Sequence, residues 1–257
     1  LGTIYKSFVF AANLPETFNK RLFHILSRKG FAFSTLIMMQ QEITNSDLLR
    51  YLRKKHVNTG FVNRLKIQYR PLVCPFIPLL KLVKDGDKVA DIGCGSGQFC
   101  QLVSVFTKTS EIFGIEITQE LVENARQLFA QESSIPHEFE QYDGMNFPPV
   151  IAKADIVFII DVLHHVPVAN QIQFLSNLCA VLKPGARLVI KDINAGSGLV
   201  YFNKLHDLIF AGSPGHELHP EIVMNELEQN QLTIHQYTKH RMYVYPHYTI
   251  VASKNKA

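Results

Sequence analysis

Apolar residues along this chain change their spacing near residue 85. Before that point they recur at helical intervals, as in Leu48, Leu49 and Leu52 and again in Leu65, Ile67, Leu72 and Val73, with no strand-like alternation. The pattern predicts a helical region over residues 1–84. Asn13 and Glu16 have the spacing of a capping box, and Asn45 and Asn58 punctuate later helices. Pro71, Pro75 and Pro78 shorten or break the last helix ahead of the turn Lys84-Asp85-Gly86-Asp87. From Lys88 onward, short apolar strands alternate with amphipathic helices. Strands are predicted at Val89 to Ile92, Glu111 to Ile117, His137 to Tyr142, Ala154 to Ile160, Arg187 to Ile193, Leu232 to Tyr237 and Tyr243 to Ala252. Between them fall helices from about Gln98, from a Thr118 cap to about Gln131, near Asn170 to Leu182, and from Pro220 at the first helical position through Glu228. Ala154 to Ile160 is nearly all apolar, as in a strand covered on both faces of a parallel sheet. Such alternation implies right-handed crossovers and a doubly wound α/β sheet, here over residues 85–257 with an insert at 194–219.

Composition adds little to this outline, but charge does. With 47% apolar and 19% charged residues the chain has enough apolar surface for a sizeable core. No apolar run reaches the roughly 18 residues of a membrane span, and Phe8 to Ala12 is too short for a secretory signal. Cys74, Cys94, Cys100 and Cys179 form no Cys-x-x-Cys pair, so reduced thiols and a cytoplasmic location are expected. Residues 1–88 hold 15 Lys+Arg against 5 Asp+Glu, whereas residues 89–257 hold 11 against 17. A basic front half fits either a solvated helical surface or a face for an anionic partner.

The chemistry concentrates in Lys88-Val-Ala-Asp-Ile-Gly-Cys-Gly-Ser-Gly-Gln-Phe99, a strand running into a turn with glycines at 93, 95 and 97. Glycines there admit positive φ and close backbone approach to a ligand. A dinucleotide fingerprint needs Gly-x-Gly-x-x-Gly, but the sixth position is Gln98 and the third glycine comes one residue early. With Asp91 the string is Asp-x-Gly-x-Gly-x-Gly, which resembles the first motif of the class I S-adenosylmethionine-dependent methyltransferases. Glu116, at the end of the second predicted strand, can accept hydrogen bonds from both ribose hydroxyls.

The resemblance implies a Rossmann-like, seven-stranded, mostly parallel sheet with antiparallel C-terminal strands. It implies S-adenosylmethionine as cofactor, with S-adenosylhomocysteine as product and no metal. Candidate cofactor residues are Arg70, Asp91, Gly93, Cys94, Gly95, Gly97, Glu116, Ile117, Asp143, Gly144, Met145 and Asp161. Asp143 would meet the base amino group, Gly144 and Met145 would flank the ring, and Asp161 would lie near the methionine end. A guanidinium such as Arg70 can grip the methionine carboxylate. Asp161-Val-Leu-His-His-Val-Pro167 resembles a segment of the small-molecule branch, where it borders donor and acceptor. His164 or His165 is the candidate general base, since imidazole titrates in the right range. Tyr201, His206, His216 and His219 of the insert are candidate substrate contacts, and Asp192 is a further polar strand end.

His216-Glu-Leu-His219 has one residue too few between its histidines for a zincin helix. The Asn/Asp-Pro-Pro-Tyr/Phe signature of nucleic-acid amino-group methylation is absent at Ile160-Asp161-Val162-Leu163. Transfer of a methyl group to a small molecule is therefore expected. An RNA or other anionic acceptor, a nicotinamide-dependent oxidoreductase and a non-catalytic donor-binding protein remain the alternatives.

Overall fold

Short strands buried on both sides need helices above and below them, and residues 88–254 supply both. The computed structural model describes residues 43–53, 70, 74–130, 134–194, 216–242 and 245–256. Its strands are β1 (Lys88–Ile92), β2 (Glu111–Glu116), β3 (His137–Gln141), β4 (Ile156–Ile160), β5 (Arg187–Ile193), β6 (Leu232–Met242) and β7 (Tyr245–Lys254). The described helices are α1 (Asn45–Arg53), α2 (Phe76–Leu80), α3 (Gln98–Phe106), α4 (Gln119–Ala130), α5 (Gln171–Val181) and α6 (Pro220–Gln229). All described residues but Ile43 fall in one compact unit, Thr44–Ala257.

The seven strands form one sheet in the order β3-β2-β1-β4-β5-β7-β6. β1 to β5 pair in parallel, whereas β7 runs antiparallel to both β5 and β6. The expected mostly parallel sheet with an antiparallel end is therefore the fold. Every residue of β4 is buried, as its unbroken apolar run requires. On β5 the alternation sorts Leu188 and Ile190 toward Phe174 and Leu178 of α5 and Val223 and Leu227 of α6. The other face meets α2, α3 and α4, with the rings of Phe99 and Phe158 4.9 Å apart and those of Phe129 and Phe139 4.8 Å apart. Both sheet edges are blunted: β3 carries exposed polar residues, and β6 is bent by a bulge between Ile234 and Gln236.

Local chemistry explains the helix boundaries. Thr44, not Asn45, starts α1: its amide donates to Asp47 Oδ2 at 3.0 Å while Asp47 N donates to Thr44 Oγ1 at 3.3 Å, a reciprocal capping box. Pro220 occupies the first turn of α6, where its missing N–H costs nothing. α2 is five residues long, with Pro75 at its N-cap and Pro78 inside it. Much of the expected N-terminal helical region, including Asn13, Glu16, Asn58, Leu65, Ile67, Leu72 and Val73, lies outside the described residues, as does insert 195–215. No helix among the described residues is long and apolar enough to cross a membrane.

Candidate functional site

The sheet order reverses direction between β1 and β4, which opens a cleft at their carboxyl ends. The glycine turn after β1 forms one wall. Gly93, Gly95 and Gly97 all have positive φ, at 72°, 55° and 78°. At Gly93 a side chain is excluded twice over, because a Cβ would also lie 2.5 Å from Val162 Cγ2 in the segment after β4. At Gly95 a Cβ would meet nothing within 4 Å, so this edge of the turn faces open space. Cys94 has its side chain buried behind the turn, and its N–H donates to Ile115 O at 3.1 Å. It shapes the loop from within.

Glu116 ends β2 beside that turn. One carboxylate oxygen accepts the Gly95 N–H at 3.0 Å, and the other accepts Ile117 N at 2.8 Å and Thr118 N at 3.1 Å. Next to it Ile117 is 57% exposed, an apolar side chain held open at the cleft edge. Asp143, after β3, accepts Met145 N at 2.8 Å and Asn146 N at 2.7 Å. The Asn146 bonds, followed by Met145's, hold the Asp143 carboxyl below the usual range. Gly144 has φ 87°, and a Cβ there would lie 3.5 Å from Ile117 Cγ2. Gly95, Glu116, Ile117, Asp143, Gly144 and Met145 thus gather at one end of the cleft.

Asp91, Asp161 and Arg70 make the other end. Asp161 has φ 57°, uncommon for a residue with a side chain. Its Oδ1 pairs with Lys191 Nζ at 2.5 Å and its Oδ2 lies 3.8 Å from Arg70 Nη2. Burial opposes its ionisation, but Lys191 and Arg70, followed by His247 and His164, hold its carboxyl well below the usual range.

Asp91 is 3% exposed and accepts a long 3.6 Å contact from the Cys100 thiol. Burial pushes its carboxyl up to about 7, against the lowering effect of Arg70. A folded-state value above the unfolded one near 4 means that the folded chain holds the extra proton between these limits. Stability from this group is accordingly greatest below pH ~4 and is lost as pH rises to about 7. Asp91→Asn is expected to raise the stability of the ligand-free protein at about pH 8 by on the order of 1–4 kcal/mol, with no gain near pH 4. Thermal unfolding at the two pH values checks this, and an equal change at both would refute it.

The two histidines after β4 part company. His164 is 3% exposed and its Nδ1 meets Asp192 Oδ1, whereas His165 is exposed with its ring centroid 4.1 Å from that of His164. Asp192 also accepts the His164 N–H at 3.3 Å and the Ile193 N–H at 2.7 Å. It is buried and committed to His164, which gives a role to a residue that no motif explains. Exposed His216 donates its N–H to His164 O at 2.8 Å, so this end of the insert borders the histidine segment. His219 is exposed at the start of α6. Tyr201 and His206 lie outside the described residues. Sequence reading passed over Lys191 and Tyr248. Tyr248 faces Asp192 across the β5–β7 pair, and its buried hydroxyl has no hydrogen-bond partner among the described residues. A lysine inside Leu-Val-Ile-Lys-Asp-Ile was the available signal for the first; nothing local marks the second.

Known proteins share this framework. Residues 83–245 match a family described as a methyltransferase domain. The 27-O-demethylrifamycin SV methyltransferase of Amycolatopsis mediterranei is 30% identical over 112 residues, 43% of this chain and 40% of that protein. An O-methyltransferase of Penicillium expansum is 31% identical over 110 residues, 42% of this chain and 38% of the relative. The chain thus matches less than half the length of either. Magnesium protoporphyrin IX methyltransferase from Synechocystis PCC 6803, crystallised with S-adenosylhomocysteine, superposes with a TM-score of 0.60 at 18% identity, covering 86% of this chain and 100% of that one. At that identity the likeness speaks for the fold, while the family match spans well over half the chain, from β1 through β6 with the glycine turn and the acidic strand ends. On that match, the chain belongs to the methyltransferase-domain family.

Proposed function

We propose that the protein transfers a methyl group from S-adenosylmethionine to an oxygen of a small-molecule acceptor. The observation that carries the donor assignment is the Glu116 carboxylate at the end of β2, closed on the Gly95 N–H of a glycine turn whose outer edge is open. The residues fit this donor from end to end. Glu116 would take the ribose hydroxyls, Ile117 and Met145 would cover the adenine faces, and Asp143 would accept from its amino group. Arg70 would face the methionine carboxylate and Asp161 the ammonium. When bound, the donor supplies an electrophilic methyl on a sulfonium leaving group. What remains for the protein is to align the acceptor, which contributes on the order of 7–11 kcal/mol in well-oriented systems, and to remove its proton.

Oxygen is favoured because the site holds a buried histidine–carboxylate pair, His164 with Asp192, suited to deprotonating a hydroxyl. The curated relatives that act on oxygen support this choice. Four free, buried cysteines are compatible with a reducing compartment such as the cytoplasm.

Calorimetric titration with S-adenosylhomocysteine and, separately, with a reduced nicotinamide dinucleotide tests the donor. Binding of the former alone is expected, and binding of the dinucleotide alone would overturn the assignment. Transfer of isotopically labelled methyl to a panel of phenols, alcohols and amines then tests the acceptor class. Product confined to amines would remove the oxygen assignment.

A further inference from the structure

Lys191 is out of place by the logic of its strand. The alternation of β5 sets it on the face opposite Leu188 and Ile190, and it is 0% exposed. A buried ammonium is tolerated only when paired and hydrogen-bonded. Its partner is Asp161, which it holds in two ways: the ammonium meets Oδ1 at 2.5 Å, and the Lys191 carbonyl accepts the Asp161 N–H at 2.9 Å. Strict alternation along β4 would set Asp161 on the side of Ile159, with Ile190 as that residue's neighbour. Its carboxylate instead reaches Lys191 on the other side, through a residue in left-handed backbone conformation. Such a conformation persists where its surroundings over-determine it, as this double attachment does.

The second cation is Arg70. Its guanidinium lies 3.8 Å from Asp161 Oδ2, too far for a hydrogen bond, and 3.5 Å from Ile160 O. One carboxylate therefore faces two cations and closes tightly on only the buried one. Without Lys191, Asp161 would be left beside a single cation able to take both carboxylate oxygens in the bidentate geometry that guanidinium prefers. Arg70 would then be occupied.

Resting on the donor assignment above, we propose that Lys191 is a positioning residue that anchors Asp161 from behind and thereby keeps Arg70 available for the carboxylate of the bound donor. The titratable groups around Asp161 include Lys191 from β5, Arg70 and Cys74 from the segment before α2, His240 from β6, His247 and Tyr248 from β7 and His164 from the turn after β4. Among these Lys191 and Arg70 are the permanent cations and only Lys191 is fully buried, so its loss leaves Arg70 as the cation that Asp161 would recruit.

Binding of two ligands separates this role from a merely structural one. S-adenosylhomocysteine has the amino-acid tail; 5′-methylthioadenosine is the same nucleoside thioether without it. Lys191→Met is expected to weaken S-adenosylhomocysteine by about tenfold or more while leaving 5′-methylthioadenosine within about twofold. Lys191→Arg should restore most of the loss. In an Asp161→Asn background, Lys191→Met should add almost nothing, because no carboxylate remains to seize Arg70. That pair of variants keeps the question answerable should Lys191→Met fold poorly by itself. An equal loss for both ligands, or the same Lys191→Met penalty with and without Asp161, overturns the proposal. Wild-type protein that takes up neither ligand overturns the donor assignment and this proposal with it.

Discussion

Glu116→Ala is expected to weaken S-adenosylhomocysteine binding by roughly 100-fold or more, the largest loss for any single change at the donor end. The carboxylate has two tasks. In the free protein it accepts N–H groups from Gly95, Ile117 and Thr118, tying the glycine turn to the end of β2. With donor bound it would accept from the ribose diol. Hydrogen bonds to a charged group are worth ~1.5–3 kcal/mol each, so losing two accounts for a change of this size. The cleft is open at Gly95, so water can repay the freed N–H groups and the fold should survive. Unlike Lys191→Met, this change should weaken 5′-methylthioadenosine as strongly, because ribose is common to both ligands. Affinity within about threefold of wild type, measured by calorimetry, would remove Glu116 from the ribose role.

How much of this was legible in the residues differs by element, for physical reasons. β5 was recovered over Arg187–Ile193 because an apolar run follows the Lys183-Pro-Gly185 turn, and Pro220 marked its helix start because proline suits that position. The glycine turn, Glu116 and Asp143 could be expected near one another because each sits at or just past the carboxyl end of a strand, and in a doubly wound sheet those ends meet at one edge. Three short 3₁₀ turns, Pro149–Lys153, Leu163–His165 and Val168–Asn170, were not, since three to five residues carry no periodicity. The expected β6 stops five residues short, because Leu232–Met242 is rich in polar residues and the bulge near His235 interrupts its alternation, and the expected β7 has the observed length but sits two residues early. The Lys191–Asp161 pair depends on the parallel register of β4 and β5, where Ile160 lies beside Lys191, and no local pattern encodes a register. Choosing between adjacent His164 and His165 likewise needed Asp192, which lies 28 residues from His164.

That choice leads to the second large effect. His164→Ala is expected to lower turnover by roughly a hundred- to ten-thousand-fold while leaving donor affinity within about threefold. The imidazole contacts Asp192 through Nδ1, so the carboxylate fixes ring orientation and would stabilise the protonated ring once it has taken the acceptor proton. A base matters only while the acceptor hydroxyl is still protonated. The penalty should therefore shrink across a series of increasingly acidic phenols and nearly vanish for those already ionised at the assay pH. Asp192→Asn should follow the same trend with a lower thermal midpoint as well, because Asp192 also accepts the N–H groups of His164 and Ile193. A ring that served packing alone would lower stability and turnover alike, with no dependence on acceptor acidity. Turnover measured across such a phenol series distinguishes the two: a flat penalty assigns His164 to the scaffold, whereas a graded one assigns it to proton removal and makes exposed His165 its neighbour rather than the base.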